Sequence, residues 1–190
     1  MSAAPRLRAV AERPELDELA LARARRGDRE GCTRFVAFYQ RLVFAAVGRI
    51  LGPRVPQAQV EELAQEAFLR ALRALPRFDP AGPAKVSTWL LTIATRVALS
   101  ERSRKRPQLE PLDAAPERSE RPFDRLDARR RLEAAAASLT PEQRAVFVLR
   151  DVHGLTETEV AAALNLDVSA AKSRLHRARA RMRRALEADA

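Results

Sequence analysis

Apolar residues along this chain recur at steps of three and four, the helical period. No stretch shows the alternation of two that a half-buried strand requires. A first helical segment opens at Glu15, carries Leu16, Leu19, Ala20 and Ala24 on one stripe, and breaks at Gly27-Asp28. A longer one carries Phe35, Phe38, Leu42, Ala45, Ala46 and Ile50 and stops at Gly52-Pro53, a pairing that ends helices. The third runs from Ala58 to Leu75, acidic at its start (Glu61, Glu62) and basic near its end (Arg70, Arg73), in the sense that opposes the helix dipole. Leu63, Ala67, Phe68, Ala71 and Leu72 form its inward face, which leaves Gln65, Glu66 and Leu69 outside. A fourth helix is predicted from Trp89, capped by Ser87 or Thr88. Leu90, Ile93, Ala94, Val97 and Ala98 lie on its packed side and Thr92, Thr95, Arg96, Leu99 and Ser100 on its polar side. It leads into the basic cluster Arg102, Arg104, Lys105 and Arg106 and ends at Pro107.

The pattern then lapses. Residues from Pro107 hold four prolines, several acids and almost no apolar period. Such a segment buries too little to offset its own ordering entropy and is expected to be a flexible linker. The predicted fold class is therefore all-α, with two small helical domains joined by that linker. The expected divisions are a loose tail over 1–14, a first domain over 15–106, the linker over 107–125 and a second domain over 126–190.

The second domain carries three helix starts. Thr140-Pro141-Glu142-Gln143 combines a cap residue, proline at the first helical position and glutamine at the reciprocal capping position. Thr156 and Glu159 repeat the capping box after the His153-Gly154 break. The last helix spans Val168 to Leu186, with Ser169 expected as its cap. Val168, Ala171, Leu175, Ala178, Met182 and Ala185 form a narrow apolar stripe, and the rest is cationic. A short helix, a turn of three or four residues and a basic helix have the spacing of a helix-turn-helix, whose second helix enters the major groove.

Composition sharpens this. A net charge of +10 favours a polyanionic partner, nucleic acid first. A basic membrane binder would add an apolar, aromatic-bearing face, which the pattern lacks. Lysine occurs only at positions 85, 105 and 172, so the charge is carried by arginine, the residue suited to phosphate forks. The lone Cys32 excludes an internal disulfide and a cysteine-based zinc site,, and on its helical stretch it is expected to be a small core residue. His153 and His176 are too few and too far apart for a metal, so no metal or cofactor is expected. No apolar run is long enough to span a membrane and no signal-type apolar stretch opens the chain, which points to the cytoplasm.

In three places, in order, the sequence resembles the extracytoplasmic-function (ECF) sigma factors, a group of the sigma-70 family of bacterial transcription initiation factors. The places are Glu61-Glu62-Leu63-Ala64-Gln65-Glu66-Ala67-Phe68-Leu69-Arg70-Ala71, Thr88-Trp89-Leu90-Leu91-Thr92-Ile93-Ala94 and Lys172-Ser173-Arg174-Leu175-His176-Arg177-Ala178-Arg179. The resemblance implies that the first domain is sigma region 2. Its Glu62–Arg70 surface would dock on the clamp helices of the largest subunit of core RNA polymerase, with Glu62, Gln65 and Glu66 as polar contacts and Leu69 as an apolar one. The helix from Trp89 would open and read the minus-ten promoter element, with Arg96 and Ser100 at the base pocket and Arg102, Arg104, Lys105 and Arg106 on phosphates. Trp89 itself is expected in the core.

The second domain would be region 4, meeting the polymerase beta flap and the minus-thirty-five element. Ser169 would contact DNA from the helix start, Lys172, Ser173 and Arg174 would face base edges, and Arg177 and Arg179 would hold phosphates. Arg181, Arg183 and Arg184 would form a solvated tail. Three positions depart from the family pattern: Arg96 stands where asparagine is common, Ser100 where an acid or amide is common, and Ala170 where threonine is usual. Linker acids such as Glu110, Asp113, Glu117 and Glu120 would mimic nucleic-acid charge along the RNA path. An anti-sigma factor is the implied regulator.

Two other classes compete. A stand-alone helix-turn-helix regulator leaves the Glu62–Phe68 motif unexplained. An enzyme acting on nucleic acid would need paired carboxylates, a nucleophile beside a base, or a phosphate-cradling glycine loop, and none is present in the sequence.

Overall fold

In the computed structural model, residues 13–104 and 125–188 are described. Eight α-helices account for most of them, and no strand occurs among them. The first half holds α1 (Glu18–Arg25), α2 (Arg29–Leu51), α3 (Gln57–Ala74) and α4 (Val86–Arg104). The second holds α5 (Arg125–Ala137), α6 (Pro141–Phe147), α7 (Glu157–Leu164) and α8 (Val168–Glu187).

Helix α2 is the axis of the first half. Phe35, Tyr39, Val43, Val47 and Ile50 lie along it at steps of four and three and are all buried. Asp28 starts it, accepting a 2.8 Å bond from the Gly31 N–H. Gly31 also allows α1 to cross the first turn closely, since a methyl there would sit 2.5 Å from the Ala24 backbone nitrogen. Leu63, Ala67, Phe68 and Ala71 of α3 and Leu90, Ala94, Val97 and Ala98 of α4 close around α2. Trp89 packs against this core, its ring 5.0 Å from that of Phe78. Cys32 is half-buried, with its thiol against the Ala24 carbonyl.

Four local expectations are corrected. The first helix begins at Glu18 with Asp17 as its cap, because the Asp17 carboxylate takes the Ala20 N–H at 2.8 Å. Glu15 is thereby released from the helix and reaches α4. Its carboxylate accepts the Ser87 N–H (3.2 Å), the Ser87 hydroxyl and the Tyr39 hydroxyl (2.7 Å). Helix α4 accordingly starts at Val86, and a remote acid meets its first turn where Ser87 or Thr88 was expected. A carboxylate at a helix N-terminus is favoured by the dipole and the free N–H groups. Thr95, placed on the polar side by periodicity, is fully buried. Leu19 and Phe38, expected on the buried stripes, are exposed.

In the second half both capping boxes form as the sequence specified. Thr140 and Gln143 exchange bonds of 3.2 and 3.1 Å, and Thr156 and Glu159 bonds of 3.2 and 2.7 Å. Between α6 and α7 the chain takes a π-helical turn, Val148–Val152. Asn165 ends α7 in the left-handed conformation (φ 53°), which asparagine adopts more readily than most residues. Helix α8 then begins at Val168 with Asp167 at the capping position. Ser169 thus lies inside the first turn and does not cap it, a further correction.

The two halves are not separate. Ala145 and Val148 join the core of the first half, while Ala46 of α2 and Leu91 of α4 are buried with Val146, Leu149, Leu155 and Val160 of the second. Helices α5 and α8 complete the second half through Ala135, Leu139, Ala178 and Met182.

Candidate nucleic-acid interface

Helix α8 buries Ala171, Leu175, Ala178 and Met182 at its predicted stripe. That burial fixes its rotation and turns Ser169, Lys172, Ser173, His176, Arg177 and Arg179 outward, with Arg174 half-buried at the edge. A capped α7 and a turn of Asn165, Leu166 and Asp167 hold α8 in place. The Leu166 N–H closes that turn on the Ala161 carbonyl at 2.9 Å. The result is a helix-turn-helix with a cationic outer ridge, a shape that fits the major groove.

Two of the cations are engaged within the half itself. Lys172 lies 3.2 Å from the Glu157 carboxylate on α7. Arg179 forks onto Asp151 with bonds of 2.9 and 2.5 Å. That hydrogen bond is the main reason the Arg179 pKa is raised. Sequence reasoning placed both residues on DNA and missed the acids, because Glu157 and Asp151 lie outside the basic helix. Ser173 and Arg177, turned outward, and Arg174 at the edge remain the members closest to the expected role.

On the first half, α3 and α4 enclose a groove of about 540 Å³ lined by Glu62, Leu63, Gln65, Glu66, Leu69, Arg70, Val97, Ser100 and Glu101. It unites the four residues expected to face polymerase with Ser100, which was expected to face DNA. Leu69 is 51% exposed there, and Glu66 pairs with Arg70 at 2.6 Å on the helix surface. Arg70, the end of the expected Glu62–Arg70 surface, lines the groove too, and Glu101 is an addition that the sequence did not single out.

Arg96 lies elsewhere on α4. Its guanidinium donates to the carbonyls of Ala162 and Ala163, each at 2.9 Å, at the C-terminal end of α7. It is therefore brought to the helix-turn-helix and not to the α3–α4 groove. Arg102 and Arg104 fall in the last turn of α4, with side chains outside the described residues; Lys105, Arg106 and the acids Glu110, Asp113, Glu117 and Glu120 lie outside them altogether. Among the described residues no cluster of His, Cys, Asp and Glu could hold a metal, and no helix is long and apolar enough to cross a membrane.

The two halves match two family patterns in order: Sigma-70 region 2 over residues 35–108 and Sigma-70, region 4 over residues 129–182. Among individual proteins, the ECF RNA polymerase sigma factor SigE of Mycolicibacterium smegmatis is 35% identical over 67% of this chain, a match spanning 51% of that protein's own length. The ECF RNA polymerase sigma-E factor of Escherichia coli is 29% identical over 86% of this chain and 90% of its own. The solved structure of CnrH in complex with the cytosolic domain of CnrY has a TM-score of 0.64 at 28% identity, covering 92% of this chain and 99% of that one. RpoE in complex with the anti-sigma factor NepR from Bartonella quintana shares the fold, with a TM-score of 0.60 at 22% identity. With both sigma regions present in order and relatives of this group matching along most of its length, the chain belongs to the sigma-70 family of RNA polymerase sigma factors, in its extracytoplasmic-function group.

Proposed function

We propose that this chain is a transcription initiation factor that binds core RNA polymerase, directs it to specific promoters and helps melt the minus-ten element. The observation that carries this reading is the pairing of two surfaces on one chain. Leu69 stands half-exposed between Gln65 and Glu66 on one half, and α8 displays Ser173, Arg174 and Arg177 from a capped helix-turn-helix on the other.

In this reading residues 15–106 form the polymerase-docking and minus-ten domain, 107–125 the linker and 126–190 the minus-thirty-five domain. Glu62, Gln65, Glu66 and Leu69 meet the clamp helices, and the second domain meets the beta flap. An exposed leucine rimmed by polar groups is the arrangement expected of a docking patch. Lys172, Ser173 and Arg174 read base edges, arginine by forking onto guanine. Ser169, Arg177 and Arg179 give charge or polar contact near phosphates, a salt-dependent contribution. Arg96, Ser100, Arg102, Arg104, Lys105 and Arg106 serve the minus-ten strand. Polymerase holds both domains at the promoter spacing, so the second contact is made at high effective concentration.

The chain acts as a specificity factor and not as an enzyme, needs no cofactor, works in the cytoplasm and is held in check by an anti-sigma factor. Transcription in vitro with purified core polymerase on a genomic promoter pool tests the reading. The expected result is a small set of start sites that share two promoter elements. Core polymerase giving the same products with and without the chain would refute it.

A further inference from the structure

Lys172 and Arg179 lie seven residues apart on α8, two turns along one strip of its surface. Each meets an acid from outside the helix. Lys172 stands 3.2 Å from the carboxylate of Glu157, the first residue of α7, and Arg179 forks onto Asp151 of the π-helical turn. The raised pKa of Arg179 owes most to that fork and a further part to the charge of Glu157. The flank of the ridge that borders α7 thus carries its cations paired. Ser173 and Arg177 lie nearer the centre of the ridge, and Arg174 lies at its far edge. The capping box of α7 closes through Thr156 and Glu159, so the Glu157 side chain is not needed to start the helix.

We infer that Glu157 is a specificity-determining residue: it withholds Lys172 from phosphates and, with Lys172, presents one acceptor and one donor to a single G·C pair. The inference deepens the proposed function and rests on it. A lysine free on the ridge would settle on the nearest phosphate, adding affinity that carries no sequence information. Glu157 competes for that lysine and repels the same phosphate. The side chains of Lys172 and Glu157 are 58% and 40% exposed, so the pair is weak, worth about two- to fivefold, and a better partner breaks it. In the major groove a guanine offers two acceptors, O6 and N7, to a cation, and its cytosine offers the N4 donor to a carboxylate. At an A·T pair the adenine amino group stands between two single acceptors, so the lysine gains one bond where guanine gives two. Only the G·C edge repays both members of the pair for parting.

The test is binding of holoenzyme, assembled from purified core polymerase and the full chain, to promoter duplexes that carry each of the four base pairs at every position of the minus-thirty-five element. The unmutated chain should prefer G·C at one position where Glu157→Gln and Lys172→Met each lower that preference by about threefold or more. The double variant should lose no more than Lys172→Met alone, because the two residues act as one unit. On a scrambled element Glu157→Gln should bind more tightly and steepen the salt dependence by about one phosphate contact, and in the Lys172→Met background it should leave that slope unchanged. Unchanged preferences in Glu157→Gln would overturn the inference, as would losses that multiply in the double variant or a slope change that persists without Lys172. A loss spread equally over all positions would mark a general weakening of α8 and overturn it too. An unmutated holoenzyme with no preference at any position is a separate result: it refutes the proposed function and the inference with it.

Discussion

Arg179 and Asp151 form a two-bond fork, at 2.9 and 2.5 Å, between helix α8 and the π-helical turn after α6. The Asp151 side chain is only 10% exposed, whereas that of Arg179 is half in solvent. The pair therefore braces the rotation of α8 beside its cationic outer ridge. Arg179→Ala is expected to lower stability by about 1 kcal/mol and to weaken DNA binding together with it. Asp151→Asn should reproduce the stability loss. Urea denaturation of the two variants and of the double variant measures the coupling. Additive losses in the double variant would show that the fork carries no coupling energy.

Arg174 and Arg177 lie on the same ridge but differ in exposure, Arg174 being tucked at the edge and Arg177 fully outward. Arg174→Ala is expected to cost roughly 1–3 kcal/mol of discrimination between cognate and scrambled minus-thirty-five sequences. Arg177→Ala should weaken both sequences alike and reduce the salt slope by about one phosphate contact. Titrations at several salt concentrations read both effects. Equal losses on cognate and scrambled DNA for Arg174→Ala would remove it from base reading.

Leu69 contributes nothing to the core that its neighbours Ala67 and Phe68 do not already supply, since it is 51% exposed on α3. Leu69→Glu should therefore leave the thermal midpoint within a few degrees of the unmutated chain, as surface changes commonly do, and should weaken co-elution with core polymerase at least tenfold. Size-exclusion chromatography with purified core is the check. Undiminished co-elution would place the docking surface elsewhere.

His153 is buried, and its Nε2 has no hydrogen-bond partner. Burial first, then the nearby charges of Arg13 and Arg49, lowers its pKa to about 3. The unfolded chain binds this proton near pH 6.5, so the folded state binds fewer protons in between. Stability from this group is complete above about pH 6.5 and falls as the pH drops towards 3, by up to about 1.4 kcal/mol per pH unit. His153→Gln should flatten the curve in that window relative to the unmutated chain. Parallel curves from chemical denaturation at pH 7, 6, 5 and 4 would contradict this origin.

What could be read from the sequence was local. The capping boxes at Thr140 and Thr156 were legible because donor and acceptor lie three residues apart in a fixed pattern. The apolar stripe of α8 was legible because one helix face decides it. Ser169 was misplaced as a cap because the helix starts one residue earlier, at Val168, with Asp167 at the capping position in extended backbone and no side-chain bond closing the turn. The α4 start was misplaced because its acceptor, Glu15, comes from 72 residues away. The same reason hides Arg144, which looks like one more arginine until Ile50 and Leu51 are brought to it. Arg96 stood out as a departure from the family pattern, but only its contact with α7 gives the arginine an occupation in the free chain.

The central claim is that one chain carries both the polymerase-docking and the promoter-reading surface. Its most direct test is transcription in vitro on the selected promoter, with core polymerase and either the unmutated chain, Leu69→Glu or Arg174→Ala. The account predicts specific initiation with the unmutated chain, loss of all factor-dependent transcript with Leu69→Glu, and with Arg174→Ala a loss that depends on the minus-thirty-five sequence. Transcript made at the same site and level without the chain, or undiminished with both variants, would contradict it.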